Sequence, residues 1–220
     1  MTVGALLDAG APWEPIHEIL KGMDTGATYA FEQTKRHGIR AGKFKVAIEN
    51  VPNKHRHLHH VFALIDKAPL SDRARANAKA VFQKLGESEA AVHGVSIEKV
   101  HFHEVGAADS IADIVGACAA LDLLGIDEIH VSPINTGSGT VNTEHGVLPV
   151  PAPATASLLA GRPVYASGPT MELTTPTGAA LATTLAASFG PMPAMKITST
   201  GFGAGDRDFP TQANVLRVIV

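Results

Sequence analysis

The stretch VHFHEVGAADSIADIVGA, residues 100–117, holds side chains whose types and spacing suit metal chemistry. Side chains alternate along an extended strand, so His101 and His103 share one face and their ring nitrogens can converge on one ion. Glu104 follows directly and lies on the opposite face unless the strand ends there, which Gly106 favours. The spacing therefore predicts His101 and His103 as metal ligands, with Glu104 beside them.

Two carboxylates follow on a helix predicted over residues 109–124. Asp109 is predicted as its N-cap, and Asp113 lies about 40° from it on a helical wheel. Gly116 and Ala120 share that face and would leave room for a ligand, which makes both aspartates candidate metal ligands. Solvated histidines and carboxylates that complement the helix dipole are the plain alternative. We favour a site, because α/β folds place their sites at junctions after the carboxyl ends of strands.

A second histidine-rich segment, HRHLHH, covers His55–His60. Neutral imidazole is a good ligand for nickel, zinc and copper, which makes His57 and His59 further candidate metal ligands. A polar loop whose composition carries no function explains the segment equally well.

His145 lies in a segment whose three alternating prolines predict a stiff, extended chain that leads into a helix near Ala154. Such a segment can hold the imidazole in place as a ligand or base. A structural crossover with an exposed histidine is the alternative.

The segment MELTTPTGAA, residues 171–180, places hydroxyls and backbone N–H groups at a predicted helix start, where a phosphate or carboxylate can bind. No Gly-Lys-Ser/Thr follows, so this is not a P-loop, and a simple threonine cap remains the alternative. The candidate anion-binding residues are Thr174, Thr175, Thr177 and Gly178.

The glycine-rich segment GFGAGDRDF, residues 201–209, leads into charged residues rather than an apolar helix, so it lacks the context of a dinucleotide-binding turn. A ligand loop and a simple turn both fit it. Cys118 lies on the apolar stripe of the 109–124 helix, and no Gly-x-Ser-x-Gly segment occurs. The sequence therefore offers no good nucleophile.

These segments lie on alternating elements that predict an α/β fold with a mixed, mainly parallel sheet and helices on its faces. Residues 1–95 are predicted as a helix-rich N-terminal subdomain with a strand pair and the histidine-rich loop. Residues 96–220 are predicted as the α/β part that carries the site, and one continuous domain is the alternative. The predicted helices are 1–22 with a turn or helix start at Pro12–Pro15, 61–66, 71–93, 109–124, 154–160 and 177–188. The predicted strands are a pair within 28–49, then 98–104, 128–134, 163–167, 195–199 and 214–220.

Composition excludes several classes of protein. The 220 residues are 45% hydrophobic and 18% charged, as in globular proteins, and the net charge of -3 gives no basic surplus for nucleic acid. No apolar run approaches the ~20 residues of a membrane span. The single cysteine and the absence of a signal-peptide pattern at the first residues predict a cytoplasmic protein.

Four segments in order, VHFHEVGAADSIADIVGA, HGVLPVPAPAT, ELTTPTGAA and GFGAGDRDFP, resemble the nickel insertion proteins of the nickel-pincer cofactor pathway. The resemblance runs from about Leu6 to Val220, and HRHLHH corresponds to a histidine-rich segment that many members carry. Members of this family are described as nickel chelatases, of the lyase class, that act on pyridinium-3,5-bisthiocarboxylic acid mononucleotide. The resemblance therefore implies nickel as cargo and this small mononucleotide as acceptor.

The resemblance and the residue types together suggest roles for the candidates. His101, His103 and Glu104, with Asp109 or Asp113, would hold or relay the metal. His145 would be a further ligand or base, so that Glu104 and His145 are the candidate catalytic residues. The threonine cluster at 174–178 would suit the phosphate of the mononucleotide.

The chain also departs from the family pattern. Members normally begin with a strand and a Cys-Phe-Ser-Gly-type loop that this chain lacks, and they carry a C-terminal domain to which CTP binding is attributed. We therefore expect an N-terminal portion, with CTP and its Mg or Mn bound only through the missing domain or a separate chain. The oligomeric state stays open, a homo-oligomer included. The rival interpretations are a non-catalytic nickel-delivery module and a metal-dependent hydrolase with an activated water.

Overall fold

The structure is a computed structural model that describes residues 1–48, 56–100, 102 and 108–220. Its α-helices in that part of the chain are α1 (Thr2–Asp8), α2 (Trp13–Gly22), α3 (Leu58–Lys67), α4 (Asp72–His93), α5 (Ala108–Leu123), α6 (Pro153–Leu158) and α7 (Pro176–Leu185). Its strands there are β1 (Ala27–Arg36), β2 (Ile39–Ile48), β3 (His130–Val131), β4 (Ile134–Asn135), β5 (Thr140–Thr143), β6 (Gly146–Pro149), β7 (Val164–Tyr165), β8 (Ser188–Phe189), β9 (Thr200–Ala204) and β10 (Val215–Ile219). The predicted α/β class is confirmed.

The largest sheet has four strands in the order β1-β2-β9-β10. β1 and β2 form an antiparallel hairpin, and its turn residues His37 and Gly38 have positive φ angles of 46° and 82°. β2 pairs parallel with β9, and β9 pairs antiparallel with β10. The sheet is therefore mixed, and it joins strands from the beginning and the end of the chain.

The remaining strands form two-stranded pairs. β3 pairs parallel with β8, β4 pairs parallel with β7, and β5 and β6 form an antiparallel hairpin. Within the described residues the predicted sheet is thus divided into one larger sheet and these short pairs.

Glycines let α1 lie directly on the large sheet. A Cβ atom on Gly201 would overlap the backbone of Ala5 and Ala9, and one on Gly203 would overlap the carbonyl of Met1. The segment GFGA is therefore part of strand β9, with small residues facing a helix. The rest of the predicted segment, residues 205–209, lies in the connection between β9 and β10, so a simple turn between strands describes only that second half.

Helix α5 lies at the centre of the core. The predicted apolar stripe is confirmed, since Ile111, Ile114 and Cys118 have no exposed surface. The opposite, small-residue face is buried as well, because Gly116 lies against Val3 of α1 and Leu20 of α2. The predicted space for a ligand on that face is therefore filled by two packed helices.

Helix α4 has the bounds that its local signals predict. Ser71 caps it by accepting a hydrogen bond from the Ala74 N–H at 3.1 Å, and Gly94 ends it with a φ of 64°. The helix packs against α5, α6 and α7, so it ties the two predicted subdomains into one core.

The strand predicted over 195–199 is wrong. The strand predicted over 98–104 lies partly outside the described residues, since 101, 103 and 104 are not described, and Ile97–Lys99 at its start form a single 3₁₀ turn. No strand covers 195–199, and β9 begins at Thr200 instead. Within the described residues, no helix is both long enough and apolar enough to cross a membrane.

Candidate functional site

The structure brings the two histidine-rich segments together. Arg56 and Phe102 form an antiparallel bridge, in which the Phe102 N–H donates to the Arg56 carbonyl at 3.0 Å. The Nδ1 atom of His57 lies 3.0 Å from the carbonyl oxygen of Val100. The histidine tract, which includes the N-cap His57 and the first turn of α3, therefore lies beside the segment that carries the opening motif. His101, His103 and Glu104 themselves lie outside the described residues, as does His55.

Three imidazoles of the tract lie close together. The ring of His59 is 5.6 Å from that of His57 and 3.9 Å from that of His60, between centroids. A carbonyl oxygen only accepts, so His57 must donate from Nδ1 to Val100, and its Nε2 is then the atom with a lone pair. The bond to Val100 thus orients the ring and selects the tautomer that binds a metal through Nε2.

The surroundings of His60 favour its neutral imidazole. Partial desolvation lowers the pKa of His60, and the neighbouring His59, His57 and Arg56 lower it further through charge repulsion. Neutral imidazole is the form that binds metal, so this shift extends the pH range in which His60 can act as a ligand. Among the described residues, however, no group of three or more His, Cys, Asp or Glu side chains is arranged to hold a metal ion. A complete site at the tract would thus need ligands beyond the described side chains.

The α5 carboxylates occupy different surroundings. The helix begins at Ala108, so Asp109 lies in its first turn and does not cap it. Asp109 is exposed and accepts a hydrogen bond from the Ser110 N–H at 2.8 Å. Burial raises the pKa of Asp113, and the nearby carboxylates of Asp109 and Asp206 add to the rise, whereas the chain's amino group and Lys43 oppose it.

An ion pair that the sequence did not indicate lies close to Asp113. The Nζ atom of Lys43 on β2 is 2.5 Å from Oδ1 of Asp206, and Lys43 is only 9% exposed. The hydrogen bond from Lys43 is the largest cause of a lowered pKa at Asp206. Arg36 fixes the same loop by donating to the carbonyl of Gly205 at 2.9 Å. The two residues are 163 positions apart in the chain, so only the fold brings them together.

Replacing Asp113 with asparagine is expected to stabilise the protein at neutral pH. An ionised carboxylate in this partly buried position costs free energy, which the neutral amide avoids, so we expect a gain of about 1 kcal/mol. For a chain of this size that corresponds to a rise of about 2–4 °C in the midpoint of thermal unfolding.

The pH dependence of that gain checks its cause. A carboxyl with a raised pKa in the folded state contributes less stability as pH rises above its ordinary value of 3.8, and the loss levels off above the folded pKa. The advantage of Asp113→Asn should therefore grow with pH over that window. The matched control is Asp109→Asn on the exposed first turn, which should change the midpoint little. Equal midpoints for wild type and Asp113→Asn at pH 7 would contradict the assigned burial effect.

Most residues of the predicted anion site at the start of α7 form hydrogen bonds within the chain. Thr175 caps the helix by accepting from the Gly178 N–H at 3.2 Å, and Thr174 donates to the Asn135 carbonyl at 2.8 Å. Thr177 is half-buried in the first turn. Three of the four predicted residues, Thr174, Thr175 and Gly178, are thus already hydrogen-bonded within the chain, and an anion would have to use Thr177 or displace the cap.

Asn135 holds this region together and was missed by the sequence analysis. Its Oδ1 accepts from the N–H groups of Gly137 and Ser167, both at 3.1 Å. Its own carbonyl accepts from Thr174. One residue at the end of β4 therefore fixes three segments, two through its side chain and one through its carbonyl, and a lone asparagine in a strand gives no sequence signal of that role.

His145 lies in the turn between β5 and β6, where its N–H donates to Thr143 Oγ1 at 3.1 Å. Its ring is 4.9 Å from the ring of His93, and His93 Nε2 is 3.5 Å from a carboxylate oxygen of Glu89. The described contacts thus divide the candidates into four groups: the tract, the start of α5, the start of α7, and His145 with the end of α4.

The chain is similar to known proteins over its whole length. The family described as nickel insertion protein matches residues 1–220. A relative from Geobacter sulfurreducens, named for nickel insertion, is 51% identical over 99% of this chain and 57% of its own length. A relative from Synechococcus elongatus with the same name is 50% identical over 96% of this chain and 53% of its own length. No solved structure gives a significant match. The chain therefore spans a little over half the length of these relatives.

Proposed function

The chain belongs to the nickel insertion protein family, and from that premise we propose that it inserts Ni(II) into pyridinium-3,5-bisthiocarboxylic acid mononucleotide to form the nickel-pincer nucleotide. In this proposal the protein is a nickel chelatase of the lyase class, and nickel is its cargo. The family match supports the nickel role, and the acceptor follows from the sequence resemblance. We also propose that it acts in the cytoplasm, which its single, buried cysteine favours.

The pairing of the histidine tract with the segment around Phe102 is the observation that carries the proposal. Two stretches that each carry several imidazoles are 43 residues apart at the His57–Val100 contact and yet lie side by side. The bridge at Arg56 and Phe102 fixes their register. We propose that His57 and His59 share one nickel site with His101, His103 and Glu104.

The donor set suits a metal that must be passed on. Imidazole nitrogen and carboxylate oxygen bind Ni(II) well, but they do not compete strongly with the two sulfur ligands that the acceptor offers. Cys118 does not interfere, because burial raises the pKa of its thiol to about 12 and keeps it protonated. The chain thus offers nickel no thiolate of its own.

The acceptor is anionic, and we propose two sets of groups that hold it. Thr177 and the N-terminal turn of α7 suit its phosphate, in the part of the anion site that the Thr175 cap leaves open. Lys43 supplies a nearly buried cation beside Asp113 at the start of α5. In this proposal Asp109 and Asp113 relay nickel, and His145 is a further ligand or base.

The chain covers 57% of the Geobacter sulfurreducens relative, so the activity of the whole protein is part of the proposal. We assign CTP, with Mg²⁺ or Mn²⁺, to a region of the longer family members that this chain does not match, whether on the same protein or on a separate chain. A homo-oligomer is compatible with this assignment. The partial coverage also favours one second candidate, a module that binds nickel and delivers it without completing insertion.

Nickel titration by calorimetry at pH 7.5 tests the proposed site. We expect His57→Gln/His59→Gln and His101→Gln/His103→Gln to lose the same single equivalent of bound nickel, because one site takes ligands from both segments. The glutamine amide at position 57 can still donate to the Val100 carbonyl, which protects the fold. His37→Asn is the matched control, since His37 is an exposed turn residue and asparagine tolerates its φ of 46°.

Two outcomes decide the proposal. If the two double variants lose different equivalents, or none, the shared site is wrong. Addition of the acceptor to the nickel-loaded chain, followed by absorbance of the nickel–sulfur product, then separates insertion from delivery. Transfer without CTP supports insertion by this chain, and retention of nickel until a further chain is added supports the delivery module.

A further inference from the structure

A second pair of imidazoles lies away from the tract, between the end of α4 and the β5–β6 turn. His93 is the last residue of α4, and His145 lies between the two strands of the hairpin. Their ring centroids are 4.9 Å apart, with an interplanar angle of 53°. Both residues lie next to or on hydrogen-bonded backbone. The Gly94 N–H donates to the Ala90 carbonyl, and the His145 N–H donates to Thr143 Oγ1.

The spacing of the two rings fits a shared metal ion. A metal–nitrogen bond of about 2.0–2.1 Å puts the metal ~3.2 Å from each ring centroid. Two such ligands at angles of about 90–110° have ring centroids ~4.5–5.3 Å apart. The observed separation of 4.9 Å lies within this range. The tilted arrangement also lacks the parallel overlap of a simple ring stack.

Glu89 supplies the partner that metal-binding histidines usually have. It lies one helical turn before His93, and its Oε2 is 3.5 Å from His93 Nε2. A proton on Nε2 shared with this carboxylate leaves the lone pair on Nδ1 for a metal. The side chains of Glu89 and His93 are 19% and 30% exposed, so the pair is partly shielded from solvent.

We infer that His93 and His145 form an open, two-histidine site for Ni(II), distinct from the site at the tract, with Glu89 as a positioning residue. The inference rests on the proposed nickel-handling function. Among the described residues, the two imidazoles are the ligands that this site offers. Water, or the sulfurs of the acceptor, would fill the remaining positions, so nickel held here exchanges easily.

The test compares His93→Asn, His145→Asn and their double variant in nickel titrations by calorimetry, alongside the unfolding midpoint of each. We expect each single variant to lose the same one equivalent of nickel, and the double variant to lose no more than that one. Glu89→Gln should still bind this equivalent of nickel, but with about 10-fold lower affinity and an unchanged unfolding midpoint. Broadening of backbone NMR signals by paramagnetic Ni(II) should appear around residues 91–94 and 144–146. His37→Asn is again the control and should retain every equivalent.

The outcomes separate this inference from the proposed function. If the wild-type chain binds no nickel at all, both the proposed function and the two-histidine site are wrong. If wild type binds nickel but both single variants keep the full stoichiometry, or the double variant loses two equivalents, only the two-histidine site is wrong. Loss of one shared equivalent in both variants, with the equivalent at the tract intact, supports it.

Discussion

Replacing Gly201 with alanine is expected to lower the free energy of unfolding by about 3 kcal/mol, one of the two largest effects that we predict. Gly201 lies on β9 directly beneath α1, and an added Cβ would overlap the Ala5 carbonyl oxygen and the Ala9 backbone nitrogen. Both are backbone atoms within or just after the helix, so neither can move aside alone. The helix would have to lift from the sheet and give up part of the core that Val3 and Leu6 share with α5.

Gly178→Ala is the matched control for this prediction. Its added Cβ would meet only Thr175 Oγ1 at 3.7 Å, which is ordinary contact. Because alanine is favoured over glycine within a helix by about 0.5–1 kcal/mol, this variant should be at least as stable as wild type. Urea unfolding measures both. A Gly201→Ala protein as stable as wild type would show that α1 does not rest on β9 through this glycine.

The sequence predicts those elements whose causes are local. Ser71, the apolar stripe and Gly94 lie within one segment, and together they determine where α4 begins and ends. The apolar side of α5 follows from the same periodicity. Strand β9 could not be predicted in this way, because its glycines are explained by a contact with α1, nearly 200 residues earlier in the chain.

The candidate site shows the same division. The chemistry of the histidines, aspartates and threonines can be recognised from residue type, and this is why each segment was a candidate. Their grouping depends on long-range pairing: the tract meets Val100, Lys43 meets Asp206, and His145 meets His93. Asn135 and Lys43 were missed because their roles depend on atoms that distant segments supply.

Replacing Gly137 with alanine is expected to cost about 3 kcal/mol or more of unfolding free energy, because two effects act at once. Gly137 has a φ of 75°, which alanine adopts only with strain, and an added Cβ would overlap the Met171 carbonyl oxygen. That carbonyl accepts from Ser138 N–H, and Leu173 N–H donates to the Thr136 carbonyl beside it. These bonds hold the segment that leads to Thr174 and the start of α7.

Gly161→Ala separates the two effects. Its φ of 74° is almost the same, but nothing lies within 4 Å of an added Cβ, so this variant should lose only about 1 kcal/mol through backbone strain. The difference between the two variants in urea unfolding then measures the close approach alone. Hydrogen exchange should also show faster exchange over residues 171–178 in Gly137→Ala and no change there in Gly161→Ala. Equal losses in the two variants would mean that the 136–139 turn does not pack on Met171, and the anchoring of the predicted phosphate site by Asn135 and Gly137 would then be wrong.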